Sequence, residues 1–362
     1  MYPPWIEGIK NNSLFLGKEL DKHMEIEIIS HLPPKDSIED SNKNDLHINF
    51  LLKLSDNFFL QIYYYFIGAI KSLIFIYQKK IQVISFQYLE TSFILSMIFL
   101  AFFKWNTIFL LTIYSTDELS ISYKKYFLKL FRWKFKKIII ISEYLRPSVR
   151  CLGFKDEDIV YIPISYDKKR YSYSSPSENR KKNTILFSAG PIKEAGSFLM
   201  VDLAKLLPEY HFIFAMRFFN RKSEKEMEIL QSYIKSSGVE NIEILRNITD
   251  MPKLLGEISG FVLPLQDINI KMLIPVALLE AMARGNLCFV SDLPNLALLV
   301  KDQDNAVLFD KKNVLELRDK IVKFIDNQDI PHNAQNFGSQ FPDYITISSQ
   351  YISLINSIQG SN

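Results

Sequence analysis

Residues 260–292 contain the side chains whose types and spacing best suit the binding of a charged ligand. Pro275 is typical of the first turn of a helix, where free backbone N–H groups and the positive end of the helix dipole can face a diphosphate. Glu280 lies about a turn and a half further on, and its carboxylate could accept hydrogen bonds from ribose hydroxyls. Gly285 is suited to end the helix. The pattern predicts a site for a sugar-bearing diphosphate; the alternative is that Glu280 is a solvated residue on an amphipathic helix.

A second glycine-containing stretch, residues 188–196, follows a strand-like run and opens a helical pattern. A loop that holds phosphates needs glycine for close approach of the backbone and cations to balance charge. Gly190 and Gly196 meet the first requirement. Lys193, or alternatively Arg217 after the next strand, is the expected source of positive charge.

These stretches need a scaffold, and the rest of the chain predicts one in which strands alternate with helices. This alternation is typical of parallel sheets covered by helices on both faces, so the fold class is predicted to be α/β. The predicted strands are Met24–Ile29, Gln82–Phe86, Thr107–Ile113, Lys137–Ile141, Ile159–Ile162, Thr184–Ser188, His211–Ala215, Ile242–Leu245, Gly260–Pro264 and Leu287–Ser291. The predicted helices of the second half are Gly196–Leu206, Lys222–Ser236, Met251–Ile258, Pro275–Arg284 and Val314–Asp326.

The run Leu278–Asp292, which reads LLEAMARGNLCFVSD, resembles the donor-binding core of the GT4 glycosyltransferases. In that family a strand ending in proline leads through a loop to a helix carrying Leu-Glu-Ala-Met-Ala-x-Gly. The resemblance implies the GT-B fold, with two doubly wound Rossmann-like domains facing across a cleft, and a nucleotide-sugar bound by the C-terminal domain. The donor-binding residues it implies are Gly190, Gly196, Pro275 and Glu280. Pro191 and Ala195 stand where the family has Arg and Lys, so Lys193 or Arg217 is expected to supply the missing charge for donor binding.

The resemblance extends into the first half of the chain. Residues 2–9 look like the proline and glycine loop that lines the acceptor side in the family, which makes Trp5 and Gly8 acceptor-side residues. Residues 160–167 resemble the run that closes the first domain. Residues 341–358 have the spacing of the helix that returns to pack on that domain.

The chain departs from the family pattern at catalytic positions. Met272 stands where the family has the first of two glutamates, and Tyr114 stands where a histidine is common. The resemblance implies a retaining transfer in which the donor's own phosphate takes the acceptor proton, so the protein mainly orients substrates and stabilises the leaving diphosphate. We expect Asp267 to supply part of the missing carboxylate role and Tyr114 to supply a hydroxyl, beside Glu280.

The polar, Ser- and Pro-containing stretch 171–182 reads as a linker between two domains. Residues 1–170 are therefore predicted to form the acceptor-side domain, residues 183–338 the nucleotide-sugar domain, and residues 339–362 the returning helix. Because the chain opens on a proline turn where such a domain has a buried strand, the first strand is expected to be missing from the sequence.

The composition of the chain gives no reason to expect a nucleic-acid-binding, metal-binding or secreted protein. The net charge of +3 gives no general reason to expect nucleic acid as a partner, and no acidic pair or histidine cluster predicts a metal site or another cofactor. Two distant cysteines and the lack of a signal peptide favour a cytoplasmic setting. The apolar stretches 57–77 and 91–105 are predicted to be buried or interfacial helices, because one contains Lys71 and the other is short for a membrane span.

Residues 123–137 place seven cations among aromatic residues and leucines. We predict a helix here, with Phe127, Leu130, Phe131 and Phe135 on one face. Such a helix suits peripheral contact with anionic lipid on the inner face of a membrane, where a lipid-linked glycan would be the acceptor. The alternative is that its aromatic face packs on the sheet and its lysines are solvated.

The sequence therefore favours a glycosyltransferase that moves a sugar from a nucleotide-sugar to an acceptor. A first alternative is a degenerate, non-catalytic partner subunit in glycan assembly, which Met272, Tyr114, Pro191 and Ala195 favour. A second, a nicotinamide-dependent oxidoreductase, would need Gly-x-Gly-x-x-Gly after a strand, and that spacing is absent.

Overall fold

The computed structural model describes residues 8–31, 48–52, 58–87, 89, 91–103, 107–171, 181–216, 221–246, 248, 250–268 and 273–360. The chain divides into two compact units. The N-terminal unit comprises Met1–Ile164 and Tyr344–Asn362, and the C-terminal unit comprises Ser165–Asp343. Both units combine helices with parallel strands, so the predicted α/β class is confirmed. Most of the predicted linker, residues 172–180, lies outside the described residues.

The described strands of the N-terminal unit form two parallel sheets. Its strands are β1 (Ile28–His31), β2 (Ile48–Leu52), β3 (Val83–Gln87), β4 (Ile108–Ile113), β5 (Phe135–Ile140) and β6 (Ile159–Tyr161). Its helices are α1 (Gly8–Asp21), α2 (Phe58–Gln78), α3 (Thr91–Phe103), α4 (Asp117–Ser120), α5 (Ser122–Phe131), α6 (Arg146–Arg150) and, at the end of the chain, α14 (Tyr344–Gln359). Strands β3 to β6 form one sheet in that order, and β1 pairs with β2 in the other.

Helix α14 packs on α1 and the four-stranded sheet of this unit. The shared cluster of buried residues consists of Leu16, Leu20, Ile139, Ile162, Ile347 and Tyr351. The Tyr351 hydroxyl also shares a 2.9 Å hydrogen bond with Thr112 Oγ1 of β4. The end of the chain is therefore part of the core of the N-terminal unit.

The C-terminal unit is built on a six-stranded parallel sheet. Its strands are β7 (Thr184–Ala189), β8 (His211–Met216), β9 (Ile242–Arg246), β10 (Gly260–Leu263), β11 (Leu287–Ser291) and β12 (Val307–Phe309). Its helices are α7 (Lys168–Tyr171), α8 (Ser197–Leu206), α9 (Arg221–Ser237), α10 (Met251–Glu257), α11 (Val276–Ala283), α12 (Val314–Phe324) and α13 (Asp329–Gln340). The strand order is β12-β11-β10-β7-β8-β9.

Aromatic residues fill the core of this sheet. Phe187, Phe212, Phe214 and Phe289 are fully buried. The rings of Phe187 and Phe214 meet edge to face with centroids 5.2 Å apart. Burial is continuous along β10, β11 and the first four residues of β7, as a parallel sheet covered on both faces requires.

The predicted single helix over 123–137 is wrong. Helix α5 ends at Phe131, a 3₁₀ turn follows, and β5 begins at Phe135. The physical reason is that Phe135 is a buried residue of the sheet, in contact with the rings of Phe109 and Phe127. Leu130 is 69% exposed, so it is not on the face that carries the buried Phe127 and Phe131.

The elements that were not predicted include β2, β12 and α13, besides α1, α4, α6 and α7. Strands β2 and β12 are short, and α13 contains Pro331 and Gly338, which disfavour a helix. Pro331 lies in the first turn of α13, where a proline costs little because its missing N–H has no intrahelical partner. Gly338 is needed in α13 because this helix packs closely against Ala283 of α11 at that residue.

Candidate functional site

The loops that follow β7 and β10 meet at one edge of the C-terminal sheet. These two strands are hydrogen-bonded neighbours, so their carboxyl ends lie side by side, the place where open α/β sheets bind ligands. The backbone N–H of Gln266 donates to the carbonyl oxygen of Glu194 at 2.8 Å and ties the loops together. The Gln266 amide donates to the carbonyl of Lys311 at 2.6 Å, which attaches the loop after β12.

Gly196 explains how the two loops come so close. It has a φ of +85°, in the left-handed region that glycine adopts without strain. A Cβ atom at this position would lie 2.1 Å from the carbonyl oxygen of Pro264. Only glycine therefore permits the backbone that starts α8 to contact the end of β10.

The predicted residues of this edge occupy its surface. Gly190 is half-buried, with nothing within 4 Å of where a Cβ would lie. Lys193 is exposed in a 3₁₀ turn, Lys193–Ala195, and Asp267 is half-buried beyond β10. The structure thus brings glycine backbone, a cation and a carboxylate to the ends of neighbouring strands.

Helix α11 begins one residue later than predicted. Pro275 is its N-cap, with extended backbone (φ −71°, ψ 113°), and Val276 is the first helical residue. The first N–H groups of a helix have no intrahelical acceptor, so this end has the polarity that an anion needs. Asn295 fixes the loop before it, because its Nδ2 donates to the carbonyl of Leu273 at 2.8 Å.

Glu280 lies on the half-exposed side of α11. The helix buries Leu278, Leu279, Ala281 and Met282, whereas Val276 and Glu280, four residues apart, are half-buried. Burial raises the pKa of the Tyr166 hydroxyl to about 12, and the negative charge of Glu280 acts in the same direction. Glu280 therefore lies at the margin of the core, on the helix face that is not fully buried.

The end of α11 has the predicted form. Gly285 has a φ of +68°, its N–H donates to the carbonyl of Met282, and the N–H of Asn286 donates to that of Ala281. These two bonds define a Schellman motif, so the prediction that Gly285 ends the helix is confirmed.

In the N-terminal unit, Tyr114 is fully buried at the end of β4. Its hydroxyl donates to Gln87 Oε1 at 2.8 Å and accepts from Asn12 Nδ2 at 2.9 Å. Burial raises the pKa of this phenol well above its usual value. The hydroxyl thus joins α1, β3 and β4, and its catalytic role stays a prediction.

Glu118 binds the loops at the same edge of that sheet. It was not predicted to be a site residue. Its buried carboxylate accepts from the backbone N–H groups of Leu89 at 2.5 Å, Tyr114 at 2.6 Å and Ser115 at 3.0 Å. Burial raises its pKa to about 7, although the three N–H groups and Lys124 act in the opposite direction. Sequence patterns give no signal for this role, because the bond to Leu89 spans 29 residues.

Of the remaining predicted positions, only Gly8 lies within the described residues. Trp5, Arg217 and Met272 lie outside the described residues, and Gly8 is the first residue of α1. Within the part of the chain that the structure describes, no group of three His, Cys, Asp or Glu side chains is arranged to hold a metal ion.

The sequence and the fold of this chain are similar to those of known glycosyltransferases. Residues 172–341 match the family described as "Glycosyl transferases group 1". HepE from Anabaena, solved with UDP-glucose, is similar with a TM-score of 0.79 at 15% identity, over 97% of this chain and 96% of that chain. A glycosyltransferase from Rickettsia africae has a TM-score of 0.76 at 15% identity, over 98% and 96% of the two chains.

Sucrose-phosphate synthase from Thermosynechococcus elongatus is a third similar structure, with a TM-score of 0.73 at 13% identity over 96% of this chain and 92% of that one. No curated protein matches the chain significantly in sequence. The predicted resemblance to group 1 glycosyltransferases and the GT-B fold with two Rossmann-like domains are confirmed. At these identities the structural similarity establishes the fold alone.

We predict that Gly196→Ala destabilises the protein by about 3 kcal/mol or more, because a side chain at positive φ would also collide with the Pro264 carbonyl. Equilibrium unfolding in urea measures this. Gly190→Ala in the same loop is the matched control, with an expected change within about 1 kcal/mol. Equal losses for the two variants would contradict the account of Gly196.

We predict a pH-dependent role for Glu118. Its pKa is about 7 in the folded chain against 4.5 as the reference value, so the folded state binds more protons between these values. Its contribution to stability therefore falls as pH rises from about 4.5 to 7 and is constant above that. The unfolding free energy of wild type minus that of Glu118→Gln should fall over this window. The exposed Glu157→Gln is the control, and a pH-independent difference for Glu118→Gln would refute the prediction.

Proposed function

We propose that this chain is a glycosyltransferase whose C-terminal unit binds a nucleotide-sugar donor. The observation that carries the proposal is the meeting of the Gly190–Gly196 loop with the loop that leads into α11, at the carboxyl edge of one parallel sheet. The HepE structures contain UDP and UDP-glucose, so uridine diphosphate sugars are the first donors to test.

Each part of the edge suits one part of such a donor. The backbone of the Gly190–Gly196 loop and the amino end of α11 suit the diphosphate, with Lys193 supplying positive charge. The carboxylate of Glu280 suits the ribose hydroxyls, since a charged acceptor makes the stronger hydrogen bonds. Asp267 suits the hydroxyls of the transferred sugar.

The reaction that we propose is a GT4-type transfer with retention. The bond between the anomeric carbon and the phosphate oxygen breaks, a bond to the acceptor oxygen forms, and the acceptor proton passes to the leaving phosphate. The protein's contribution is to orient donor and acceptor and to stabilise the diphosphate charge, so the proposal requires neither a metal nor a histidine base.

A lipid-linked glycan is the acceptor that we propose, because the N-terminal unit exposes a large apolar surface. Helix α3 connects α2 to α5 in this surface: Phe99 contacts Phe66 of α2, and Phe102 contacts Phe131 of α5. Among the side chains that the structure describes, the large exposed apolar ones of the three helices are Phe59, Leu60, Ile62, Tyr63, Phe66, Ile74, Tyr77, Phe102, Phe103, Tyr123, Tyr126 and Leu130, with Trp133 just beyond α5. We call this set the aromatic surface. Patches of this kind mark membrane or protein contacts.

The charges around the aromatic surface favour an anionic membrane. Residues 57–137 contain eleven Lys and Arg against three Asp and Glu, whereas the whole chain has a net charge of only +3. Lys125, Lys129 and Arg132 are exposed, while Lys124 and Lys134 are buried and do not contribute. We therefore place the protein on the inner, cytoplasmic leaflet.

Helix α2 is consistent with contact at the lipid surface. Residues 59–78 are long and apolar enough to cross a membrane by length and composition, and 22% of the most apolar 18-residue stretch of this helix is buried. We propose that α2 lies in the interface, because Lys71 is exposed in its middle and the helix packs on α3.

The second candidate function is a non-catalytic partner subunit. It is favoured by Tyr114, which takes the place of the expected histidine and whose hydroxyl is enclosed by Asn12 and Gln87. Such a protein would bind a nucleotide-sugar without turning it over.

We predict that Glu280→Ala weakens binding of a uridine diphosphate sugar by about 10-fold or more, since hydrogen bonds to a charged group contribute about 1.5–3 kcal/mol. Calorimetric titration and a transfer assay with the purified full chain test this. Glu228→Ala, an exposed glutamate on α9, is the control. Unchanged binding in Glu280→Ala would refute the proposed ribose contact, and binding without turnover in wild type would support the partner subunit.

We predict that the protein sediments with vesicles that contain phosphatidylserine and much less with pure phosphatidylcholine. Lys125→Glu with Lys129→Glu should reduce binding by about 10-fold or more, because each cation near an anionic surface contributes about 1 kcal/mol. Lys225→Glu with Lys235→Glu on α9 is the matched control. Equal binding by both double variants, or equal binding to anionic and neutral vesicles, would contradict the membrane assignment.

A further inference from the structure

A set of hydrogen bonds joins the first residues of the C-terminal unit to the end of α13. Ser165 Oγ donates to the carbonyl of Pro342 at 2.6 Å, and the Tyr166 hydroxyl donates to that of Gly338 at 2.8 Å. Lys168 Nζ donates to the carbonyl of Ser339 at 2.7 Å. Three side chains from one short segment therefore bind two carbonyl groups in the last turn of α13 and one carbonyl just beyond its end. We call this arrangement the brace.

The brace is packed against α11 through Gly338. A Cβ atom on Gly338 would lie 2.9 Å from both the backbone N and the Cα of Ala283. Glycine inside a helix costs about 1 kcal/mol relative to alanine, so its presence in α13 needs a reason. The reason is that α13 and α11 meet backbone to backbone at this point.

The segment that supplies the brace also packs against α11, the helix that carries Glu280. Helix α7, which begins two residues after Tyr166, packs against α11. Tyr166 is 3% exposed, and the charge of Glu280 contributes to the raised pKa of its hydroxyl. Because that hydroxyl donates its one hydrogen to the carbonyl of Gly338, it holds α13 at the residue that meets α11 at Ala283, three positions after Glu280.

We propose that Tyr166 and Gly338 are positioning residues, which fix α11 between the brace and the sheet and so hold the Glu280 carboxylate where the donor needs it. This inference rests on the proposed function, because it assigns the brace to the same donor site. A side chain that must meet a substrate within about 0.5 Å needs neighbours that lock it.

Two variants test the brace by different routes. Gly338→Ala should push α11 away and weaken uridine diphosphate binding by about 10-fold or more, whereas Gly360→Ala, at the end of the C-terminal helix, should leave it unchanged. Tyr166→Phe loses one buried hydrogen bond and should weaken binding by about 3- to 10-fold, the equivalent of about 0.6–1.4 kcal/mol.

The matched control for Tyr166→Phe is Tyr233→Phe. The Tyr233 hydroxyl, on α9, also donates a hydrogen bond within the C-terminal unit, to Asp202 Oδ1 of α8 at 2.7 Å. This variant should unfold as easily as Tyr166→Phe yet bind uridine diphosphate as wild type does. In a transfer assay, Tyr166→Phe should raise KM for the donor more than it lowers kcat.

A double-mutant cycle decides between positioning and general destabilisation. Calorimetric titration of uridine diphosphate into the full chain should show that Tyr166→Phe has little effect once Glu280→Ala is present. The same loss in both backgrounds, or unchanged binding in Tyr166→Phe while wild type binds, would overturn the brace alone. No binding by wild type to any nucleoside diphosphate would overturn the brace together with the proposed function.

Discussion

The C-terminal site depends on a close approach of two backbones, that of Gly196 to the carbonyl of Pro264. Without it, the loop after β7 could not lie against the loop after β10, and the bond from Gln266 to Glu194 could not form. Gly338 plays an equivalent part behind the site, where it lets α13 touch α11 at Ala283. Neither contact leaves room for one additional carbon atom, so backbone packing sets the shape of the proposed donor-binding edge.

In the N-terminal unit, buried polar side chains rather than close backbone contacts hold the loops at the sheet edge. There a buried carboxylate, Glu118, collects three backbone N–H groups from two loops, and the Tyr114 hydroxyl joins α1 to β3 and β4. Such polar networks are stable only when fully satisfied, because a buried unpaired group costs free energy. These groups are therefore better suited to hold the edge in shape than to react, as expected if the donor phosphate takes the proton in the transfer that we propose.

The sequence identified features whose causes are local. Gly285 and most strands of the C-terminal sheet were predicted, since a helix-ending glycine and a run of buried β-branched or aromatic residues are visible in a short window. Features with distant causes were missed. The glycine in α13 is explained by Ala283, 55 positions earlier, and the hydroxyl of Tyr166 finds its acceptor 172 residues away. The helix predicted over 123–137 failed for the same reason, because pairing of β5 with β4 outweighs local helical pattern.

The central claim is that one edge of the C-terminal sheet holds the diphosphate and ribose of a sugar donor. A crystal structure of the full chain with uridine diphosphate tests it most directly. The account predicts diphosphate oxygens within hydrogen-bond distance of backbone N–H groups in the 190–196 loop and the first turn of α11, with the Glu280 carboxylate on the ribose hydroxyls. A nucleotide bound elsewhere, or one bound at this edge with Glu280 turned away from the ribose, would contradict it.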